Sequence, residues 1–137
     1  SIVVGDDRFV IYRGKEVPEK KKEIMLDQEI QSVFHSDRYI GFILLNQEKS
    51  GYELRLYSRL GEQVLSREIS GKYSNVKIDG SEVIMFDGSR CCIITAYGIV
   101  KFEGDLNVEA LEIFQAPGIN RYYMMSVDEL RVIYLTK

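Results

Sequence analysis

Acidic residues recur at the turns between the strands, and they are the first candidates for chemistry in this chain. They are Asp6, Asp7, Asp87, Asp128 and Glu129. Carboxylates at corresponding turns could hold Ca²⁺, which takes about six to eight oxygen ligands and accepts irregular loops. The spacing of a calcium-binding loop is absent, however, and Asp is common in turns because its side chain hydrogen-bonds its own backbone. We therefore interpret these acids as turn residues and predict neither a metal nor a cofactor.

The candidate nucleophiles and bases are two cysteines and one histidine. Cys91 and Cys92 are adjacent, so in a strand their thiols point to opposite faces, and a disulfide between neighbours would form a strained ring. A reactive thiolate needs a helix N-terminus or a cationic neighbour, and only Arg90 is adjacent. His35 precedes a serine and an aspartate, but a triad needs residues that converge from distant segments, and no GxSxG turn is present. We predict that the protein is not an enzyme.

Tyrosines and turn residues are the candidates for binding. Tyr122 and Tyr123, with Tyr73 and Tyr97, could form a platform for a sugar or a peptide, because tyrosine combines a flat apolar ring with a polar tip. Packing within strands is the alternative. The loops 46–51, 87–90 and 128–129 are the candidate binding loops. The predicted binding residues are Asp87, Arg90, Tyr122, Tyr123, Asp128 and Glu129.

Length and charge limit the class of protein. A chain of 137 residues is long enough for a single domain, here predicted over 1–137, with its own core. The 18 basic and 21 acidic residues give a net charge of -3, which does not suggest a nucleic-acid partner. No apolar run approaches the ~20 residues of a transmembrane helix. The chain begins at Ser1, so we expect it to be part of a longer protein.

The elements that carry these residues follow a repeated pattern of four short strands. Gly14, Gly61 and Gly98 each follow an apolar strand that contains a tyrosine or ends close to one, and they mark corresponding corners of the repeat. A repeat of about 40 residues with four short strands is typical of a β-propeller blade. We predict an all-β fold, a partial β-propeller-like array of antiparallel four-stranded blades, with a β-sandwich or barrel as the alternative. The modules span 1–29 (partial), 30–70, 71–107 and 108–137 (partial).

Turn residues place the strands within each module. Asp-Gly pairs at 79–80 and 87–88 favour tight hairpins and fix the register of the flanking strands. The predicted strands are 2–4 and 8–13; 30–35, 38–45, 52–57 and 63–69; 75–79, 82–86, 91–96 and 99–102; and 110–114, 121–127 and 130–135. The first module lacks its first strand and the last module lacks its last, which leaves two open edges. We expect a homodimer through these edges, or pairing with upstream blades.

The segment 18–30 fits the pattern less well. Pro18 and the helix formers behind it could begin a helical turn, whereas residues 24–26 are short and apolar like a strand. We favour a strand with a long charged loop. Lys20, Lys21 and Lys22 lie in this segment between two glutamates, and we interpret them as a solvated loop or an edge-protecting run, with binding to an anionic or lipid surface as the alternative.

Four segments carry a resemblance to a known family: 57–64, 76–86, 97–102 and 120–135. Their pattern of strand, Asp-Gly turn, strand ending in Tyr-x-Gly, and a valine-rich strand resembles the C-terminal part of an uncharacterised bacterial family of membrane-anchored β-propeller-like proteins. The resemblance covers residues 8–137. It implies an upstream anchor and a propeller on the extracellular side of a bacterial membrane, and it supplies no catalytic residue. The adjacent cysteines and the lysine run depart from the family pattern, and the cysteines weaken the extracellular assignment.

We therefore predict a non-catalytic scaffold or binding module of a surface protein, which binds a protein or a glycan through loops on one rim. The first alternative is a propeller enzyme, a hydrolase or lyase with its site at the blade channel. It requires His35 and at least two carboxylates to converge in a concave pocket. The second alternative is that the chain completes a larger propeller, and it requires an apolar terminal face.

Overall fold

The computed structural model describes residues 2–5, 8–13, 19–48 and 50–136 of the chain. These residues form strands and no helix. The strands are β1 (Ile2–Val4), β2 (Arg8–Arg13), β3 (Glu19–Met25), β4 (Glu29–His35), β5 (Tyr39–Asn46), β6 (Gly51–Ser58), β7 (Gln63–Ile69), β8 (Asn75–Asp79), β9 (Glu82–Asp87), β10 (Arg90–Thr95), β11 (Val100–Asp105), β12 (Glu112–Gln115), β13 (Arg121–Met125) and β14 (Leu130–Tyr134). The predicted all-β fold is confirmed.

The strands form four antiparallel sheets in which sequence neighbours pair. Sheet I contains β1–β3, sheet II β4–β7, sheet III β8–β11 and sheet IV β12–β14. Sheets II and III have the four strands expected of a complete blade, and sheets I and IV have three each among the described residues. Apart from β3, the predicted strands match the observed ones to within a few residues, because alternation and turn chemistry agree along this chain.

The corners at Gly61 and Gly98 have the same geometry. Both glycines have positive φ angles, 84° and 90°, which side chains adopt only with strain. The Gly61 amide donates to the Ser58 carbonyl and the Gly98 amide to the Thr95 carbonyl, each at 2.9 Å. These matching turns support the repeat that the sequence predicts. Gly14, which would mark the third corner, lies outside the described residues.

The chain divides into two compact units, Ser1–Lys72 and Tyr73–Lys137. In the first unit, aromatic rings join sheet I to sheet II. Phe9 of β2 lies 5.1 Å from Phe42 of β5 and 4.9 Å from Tyr57 of β6, measured between ring centroids. All three side chains are buried and belong to one core cluster. The single domain expected over 1–137 stays a prediction.

In the second unit, one face of sheet III packs on one face of sheet IV. Sheet III contributes Ile84 and Ile93, and sheet IV contributes Ile113, Tyr122 and Met124. Each of these side chains is at most 2% exposed. Since alternate residues of a strand point to opposite faces, this contact defines the inner face of sheet IV.

The segment that contains the lysine run is a strand. Residues 19–25 form β3, which pairs with β2 through Phe9↔Ile24 and Val10↔Glu23. The helical alternative is therefore wrong, and so is a long charged loop over Lys20, Lys21 and Lys22. These lysines lie on the edge strand of sheet I, where charged residues hinder pairing with another chain. Residues 14–18 of the expected loop, and Asp6 and Asp7 of the first turn, lie outside the described residues.

Candidate protein-binding surface

The first pair of predicted binding residues meets at the β9–β10 turn. Arg90 Nη2 lies 3.7 Å from Asp87 Oδ2, and the Ser74 hydroxyl donates to Asp87 Oδ1 at 3.1 Å. The guanidinium of Arg90 stacks over the ring of Tyr73, 4.8 Å from its centroid. The charges at this turn are thus matched locally, which leaves them little capacity to attract a charged ligand.

The second pair, Asp128 and Glu129, lies at the β13–β14 turn, where Glu129 has a cationic neighbour. The Ser126 amide donates to the Glu129 carbonyl at 2.9 Å and closes the turn. Arg131 Nε donates to Glu129 Oε1 at 2.8 Å. Asp128 is exposed in the same turn. Within the described ranges, no group of three or more His, Cys, Asp or Glu side chains is placed to hold a metal ion.

Tyr122 and Tyr123 point to opposite faces of sheet IV, because they are neighbours in β13. Tyr122 is 1% exposed and faces sheet III, so its ring cannot be an exposed platform for a ligand. Tyr123 lies on the other face and packs against Phe114 at 5.3 Å between centroids. Of the other two tyrosines, Tyr73 is buried, whereas Tyr97 is 76% exposed.

The hydroxyl of Tyr122 belongs to a polar cluster that the sequence analysis did not identify. It donates to Glu82 Oε1 at 2.5 Å, and Lys101 Nζ donates to Glu82 Oε2 at 2.6 Å and to the Tyr122 hydroxyl at 3.0 Å. Burial would raise the pKa of Glu82, but the hydrogen bonds from Lys101 and Tyr122 outweigh burial and hold the pKa below its ordinary value. Burial, and then the bond to Glu82, raise the pKa of Tyr122.

This cluster binds strands of sheets III and IV together. Glu82 is on β9, Lys101 on β11 and Tyr122 on β13, and the three groups satisfy one another. A phenol with a raised pKa is a poor proton donor, and a carboxylate with a lowered pKa is a poor proton acceptor. We therefore interpret the cluster as a structural link. Glu82 and Tyr122 lie 40 residues apart, so no local sequence signal identifies the contact.

The cysteines are buried, and the histidine lies at the surface. Cys91 and Cys92 are 0% and 2% exposed, and neither is in a disulfide. Burial, with a smaller effect of the neighbouring Cys92, raises the pKa of Cys91 to about 12. His35 is exposed and borders a cavity of about 240 Å³ whose other lining residues are Val4, Val33, Ile40 and Arg59. None of these lining residues is a carboxylate.

The loop 46–51 borders an open cavity of about 600 Å³ in the first unit. Residue 49 lies outside the described residues. Three carboxylates line the cavity, those of Asp27, Glu29 and Glu48, and the other five lining residues are uncharged. The Gln47 amide donates to Glu29 Oε2 at 2.8 Å, and Arg55 pairs with Asp27 at 3.2 Å. Of the three carboxylates, Asp27 thus has a counter-ion and Glu29 has a neutral hydrogen-bond donor.

The strongest candidate surface is the second face of sheet IV, here called the outer face. Leu130 is 55% exposed, Val132 42% and Tyr134 68%, and these alternate residues of β14 share one side. Cross-strand pairs extend that side through β13 to β12: Met125↔Leu130, Tyr123↔Val132 and Phe114↔Tyr123. The outer face thus carries the apolar and aromatic residues Phe114, Tyr123, Met125, Leu130, Val132 and Tyr134. The pairs Glu112↔Met125 and Arg121↔Tyr134 place two charged residues on the same side, at its margins.

The repeat shows what the corresponding positions do in sheet III. The pair beside the β9–β10 turn is Phe86↔Cys91, and the pair beside the β13–β14 turn is Met125↔Leu130. Phe86 and Cys91 are buried because sheet IV covers them. The outer face of sheet IV therefore has the apolar residues of a face that, one repeat earlier, packs on another sheet.

Comparison with known proteins agrees with this architecture. A model described as "Family of unknown function (DUF5711)" matches residues 1–135. The chain belongs to this family. No curated protein matches it in sequence. The uncharacterised family expected from the sequence is thereby found, whereas its membrane anchoring and bacterial origin stay predictions. Among the described residues of this DUF5711 chain, no helix has the length and hydrophobicity to cross a bilayer.

A solved structure similar to this DUF5711 chain is a β-propeller. The crystal structure of HIRA(644-1017), a WD40-type propeller protein, matches with a TM-score of 0.61 and 14% sequence identity. The match covers 97% of this chain and 47% of that chain, so the DUF5711 chain spans about half the length of the protein it matches. At this identity the likeness concerns the fold alone, and it supports a propeller-like arrangement of blades.

Proposed function

We propose that this chain is a non-catalytic scaffold module that binds another protein through the outer face of sheet IV. The observation that carries the proposal is the exposure of Leu130, Val132 and Tyr134 side by side on one strand. Contiguous exposed apolar residues of this kind mark interaction sites on soluble proteins. The repeat supports the same conclusion, because the corresponding residues of sheet III are covered by a sheet.

The composition of the outer face favours a protein partner over a glycan. Leu130, Val132 and Met125 are aliphatic or thioether side chains, and they offer a sugar neither a flat ring nor hydrogen bonds. Phe114 and Tyr123 stack on each other at 5.3 Å and are half-buried. We propose a partner that presents an apolar β-sheet surface, as sheet IV itself presents its inner face to sheet III.

The rival hypothesis of a propeller enzyme finds no support in the geometry. It requires His35 and two carboxylates in one concave pocket, and the cavity beside His35 is lined by Val4, Val33, Ile40 and Arg59. The carboxylate of Glu82 is engaged by Lys101 and Tyr122. A location outside the cytoplasm remains a proposal that rests on the resemblance given above.

A matched pair of charge substitutions tests the proposal. Val132 on the outer face and Val64 on β7 are both valines that are 42% exposed, so Val64→Glu is the control for Val132→Glu. Proteins captured from the source organism by the wild-type chain are identified, purified and titrated against all three chains. We expect Val132→Glu to weaken binding at least about tenfold, because a charge is buried in the interface, and Val64→Glu to leave it unchanged.

The same titration can contradict the proposal in two ways. Equal affinity of the wild-type chain and Val132→Glu would show that the outer face is not the binding surface. Failure of every purified candidate to bind the wild-type chain would refute the binding function itself. Thermal unfolding of both variants verifies that each is folded under the conditions of the titration.

A further inference from the structure

Three turns of the second unit meet at one end of sheets III and IV, and we call this end the three-turn rim. The turns span residues 79–82, 95–99 and 116–120. The Ala96 amide donates to the Ser81 carbonyl at 2.7 Å, and the Gln115 amide donates to Asp79 Oδ2 at 2.8 Å. The predicted binding residues at the β9–β10 and β13–β14 turns lie at the opposite end of the same strands.

The tips of these turns expose large apolar side chains. Tyr97 is 76% exposed, Ile99 63% and Ile119 86%. Sheets pack on one another through the faces of their strands, so a further sheet beside sheet III or sheet IV would leave residues in these turns exposed. Exposed apolar residues that share one surface mark interaction sites.

A polar cavity of about 140 Å³ lies between the turns. Its polar lining residues are Glu82, Lys101, Gln115, Asn120, Arg121 and Tyr122. A typical small-molecule site has a volume of about 300–1,000 Å³, so this cavity has room for one short side chain and not for a larger ligand.

Two cationic side chains at the cavity retain hydrogen-bond donors. Lys101 Nζ donates to Glu82 and to the Tyr122 hydroxyl, and an ammonium group has a third N–H. Arg121 Nε is withdrawn from water and has no hydrogen-bond partner among the described residues. The loop of this chain itself covers Arg121, because a Cβ added at Gly118 would lie 2.7 Å from Arg121 Cδ. An anionic acceptor is the group that best satisfies such donors.

This charge is specific to the second unit and is not a feature of the repeat. Lys101 is the extra residue of a bulge between β10 and β11, three residues after Gly98. The corresponding bulge between β6 and β7 leaves out Val64, three residues after Gly61. Bulges re-aim side chains, and here the re-aimed residue is a lysine where sheet II has a valine.

We propose that the three-turn rim binds a segment of another protein, with the carboxylate of an acidic side chain in the cavity and apolar residues against Ile99 and Ile119. Charge complementarity supports this occupant, because the carboxylate would accept from the donors that Lys101 and Arg121 retain. A free acid would fill the cavity and leave the apolar turn tips exposed. The inference goes beyond the proposed function and does not require the outer face to bind a partner.

A pair of matched peptides tests the recognition of the carboxylate. The probe is the acetylated and amidated tripeptide Leu-Asp-Leu, and the control is Leu-Asn-Leu, which has the same shape without the charge. Amide NMR shifts of the full chain are followed during titration. We expect saturable shifts within 97–101 and 116–122, and at least about tenfold weaker binding of the control peptide. Equal binding of both peptides, no binding, or shifts confined to the β14 strand would overturn the proposal.

Two asparagines of similar backbone geometry provide matched variants of the chain. Asn120 lines the cavity and has a φ of 60°, whereas Asn107 is exposed outside it and has a φ of 63°. Asn120→Asp places a carboxylate of the chain itself at the cavity and should weaken Leu-Asp-Leu binding at least about tenfold. Asn107→Asp adds the same charge to the chain and should leave the affinity unchanged. Equal effects of the two substitutions would refute binding in this cavity.

The apolar part of the site is tested at Ile119. Ile119→Ser should weaken Leu-Asp-Leu binding at least about threefold, because the turn tip then buries less apolar surface. Val127→Ser is the control, since Val127 is 79% exposed in the β13–β14 turn at the opposite end. Sodium acetate should bind at least about tenfold more weakly than the tripeptide. Acetate binding as tight as that of the tripeptide, or an unchanged affinity of Ile119→Ser, would overturn a protein segment as the occupant.

Discussion

Removing one hydroxyl group tests whether the buried polar cluster joins sheets III and IV. The substitution Tyr122→Phe keeps the ring, which is 1% exposed, and deletes the group that donates to Glu82 at 2.5 Å and accepts from Lys101 at 3.0 Å. Glu82 Oε1 then loses this donor in a site that is largely withdrawn from water. We expect the variant to fold and to be less stable than the wild-type chain.

The size of the effect follows from the geometry. A hydrogen bond to a charged group contributes about 1.5–3 kcal/mol to stability. Lys101 still donates to Glu82 Oε2 at 2.6 Å, so the carboxylate keeps its counter-ion and the loss should be in the lower half of that range. We therefore expect a decrease of about 2 kcal/mol in the free energy of unfolding. For a chain of this size, that corresponds to a fall in Tm of roughly 6–10 °C.

Urea unfolding combined with hydrogen exchange measures this loss where it should occur. The decrease should appear in amides of β9 and β13, on either side of the cluster. The control is Tyr134→Phe, which removes a hydroxyl from a residue that is 68% exposed and should change stability by less than about 0.5 kcal/mol. If both substitutions have equally small effects, the cluster does not join the two sheets and our interpretation of it is wrong.

Two further predictions concern charge and packing. The folded-state pKa of Glu82 lies below its ordinary value of 4.5, because hydrogen bonds from Lys101 and Tyr122 outweigh the effect of burial. The ionised carboxylate therefore stabilises the fold above about pH 4.5. This stabilisation is lost as the pH falls through the folded-state pKa. The free energy of unfolding of Glu82→Gln, measured with urea, should therefore depend less on pH between about pH 6 and pH 3 than that of the wild-type chain. An identical pH dependence of the two chains would contradict this prediction. Gly41→Ala should cost about 2–3 kcal/mol, because the added Cβ would lie 2.1 Å from Cε2 of the buried Phe34 ring. The control is Gly88→Ala, where the added Cβ meets nothing within 4 Å but φ is +60°, and it should cost about 1 kcal/mol. If Gly41→Ala and Gly88→Ala lower the free energy of unfolding equally in the urea assay, a clash with Phe34 is not the reason for the loss.

Most of the fold could be predicted because its signals are local. The Asp-Gly turn at 87–88 sets the register of β9 and β10, and Gly88 has the φ of +60° that such a turn requires. The exception is β3. Its composition allows a helical turn after Pro18 as well as the strand with a long charged loop that we favoured. Pairing of Ile24 with Phe9 extends the strand through the lysines, and this contact is distant in sequence. Tertiary pairing outweighs weak local propensity in such cases.

Less of the candidate site could be predicted because it depends on how sheets stack. Tyr122 and Tyr123 are identical neighbours, and both faces of β13 are apolar enough to be the buried one. Glu82 and Lys101 lie 19 residues apart and meet Tyr122 only after sheet IV covers sheet III. At the turns, by contrast, the sequence places the predicted residues correctly: Asp87 lies beside Arg90, and Glu129 lies beside Arg131.

Sheet IV exposes apolar residues at positions that are buried in sheet III. Both faces of sheet III are buried: Ile84 and Phe86 on one side, Val83 and Met85 on the other, are each at most 2% exposed. A terminal repeat without a neighbour normally has a polar outer side, because each repeat contacts only the repeats beside it. Sheet IV instead keeps the pattern of an internal blade and pairs it with a sparsely charged edge strand. The exposed apolar residues of the outer face therefore agree with two of the hypotheses above: a protein partner, as we propose, and a larger propeller that this chain completes.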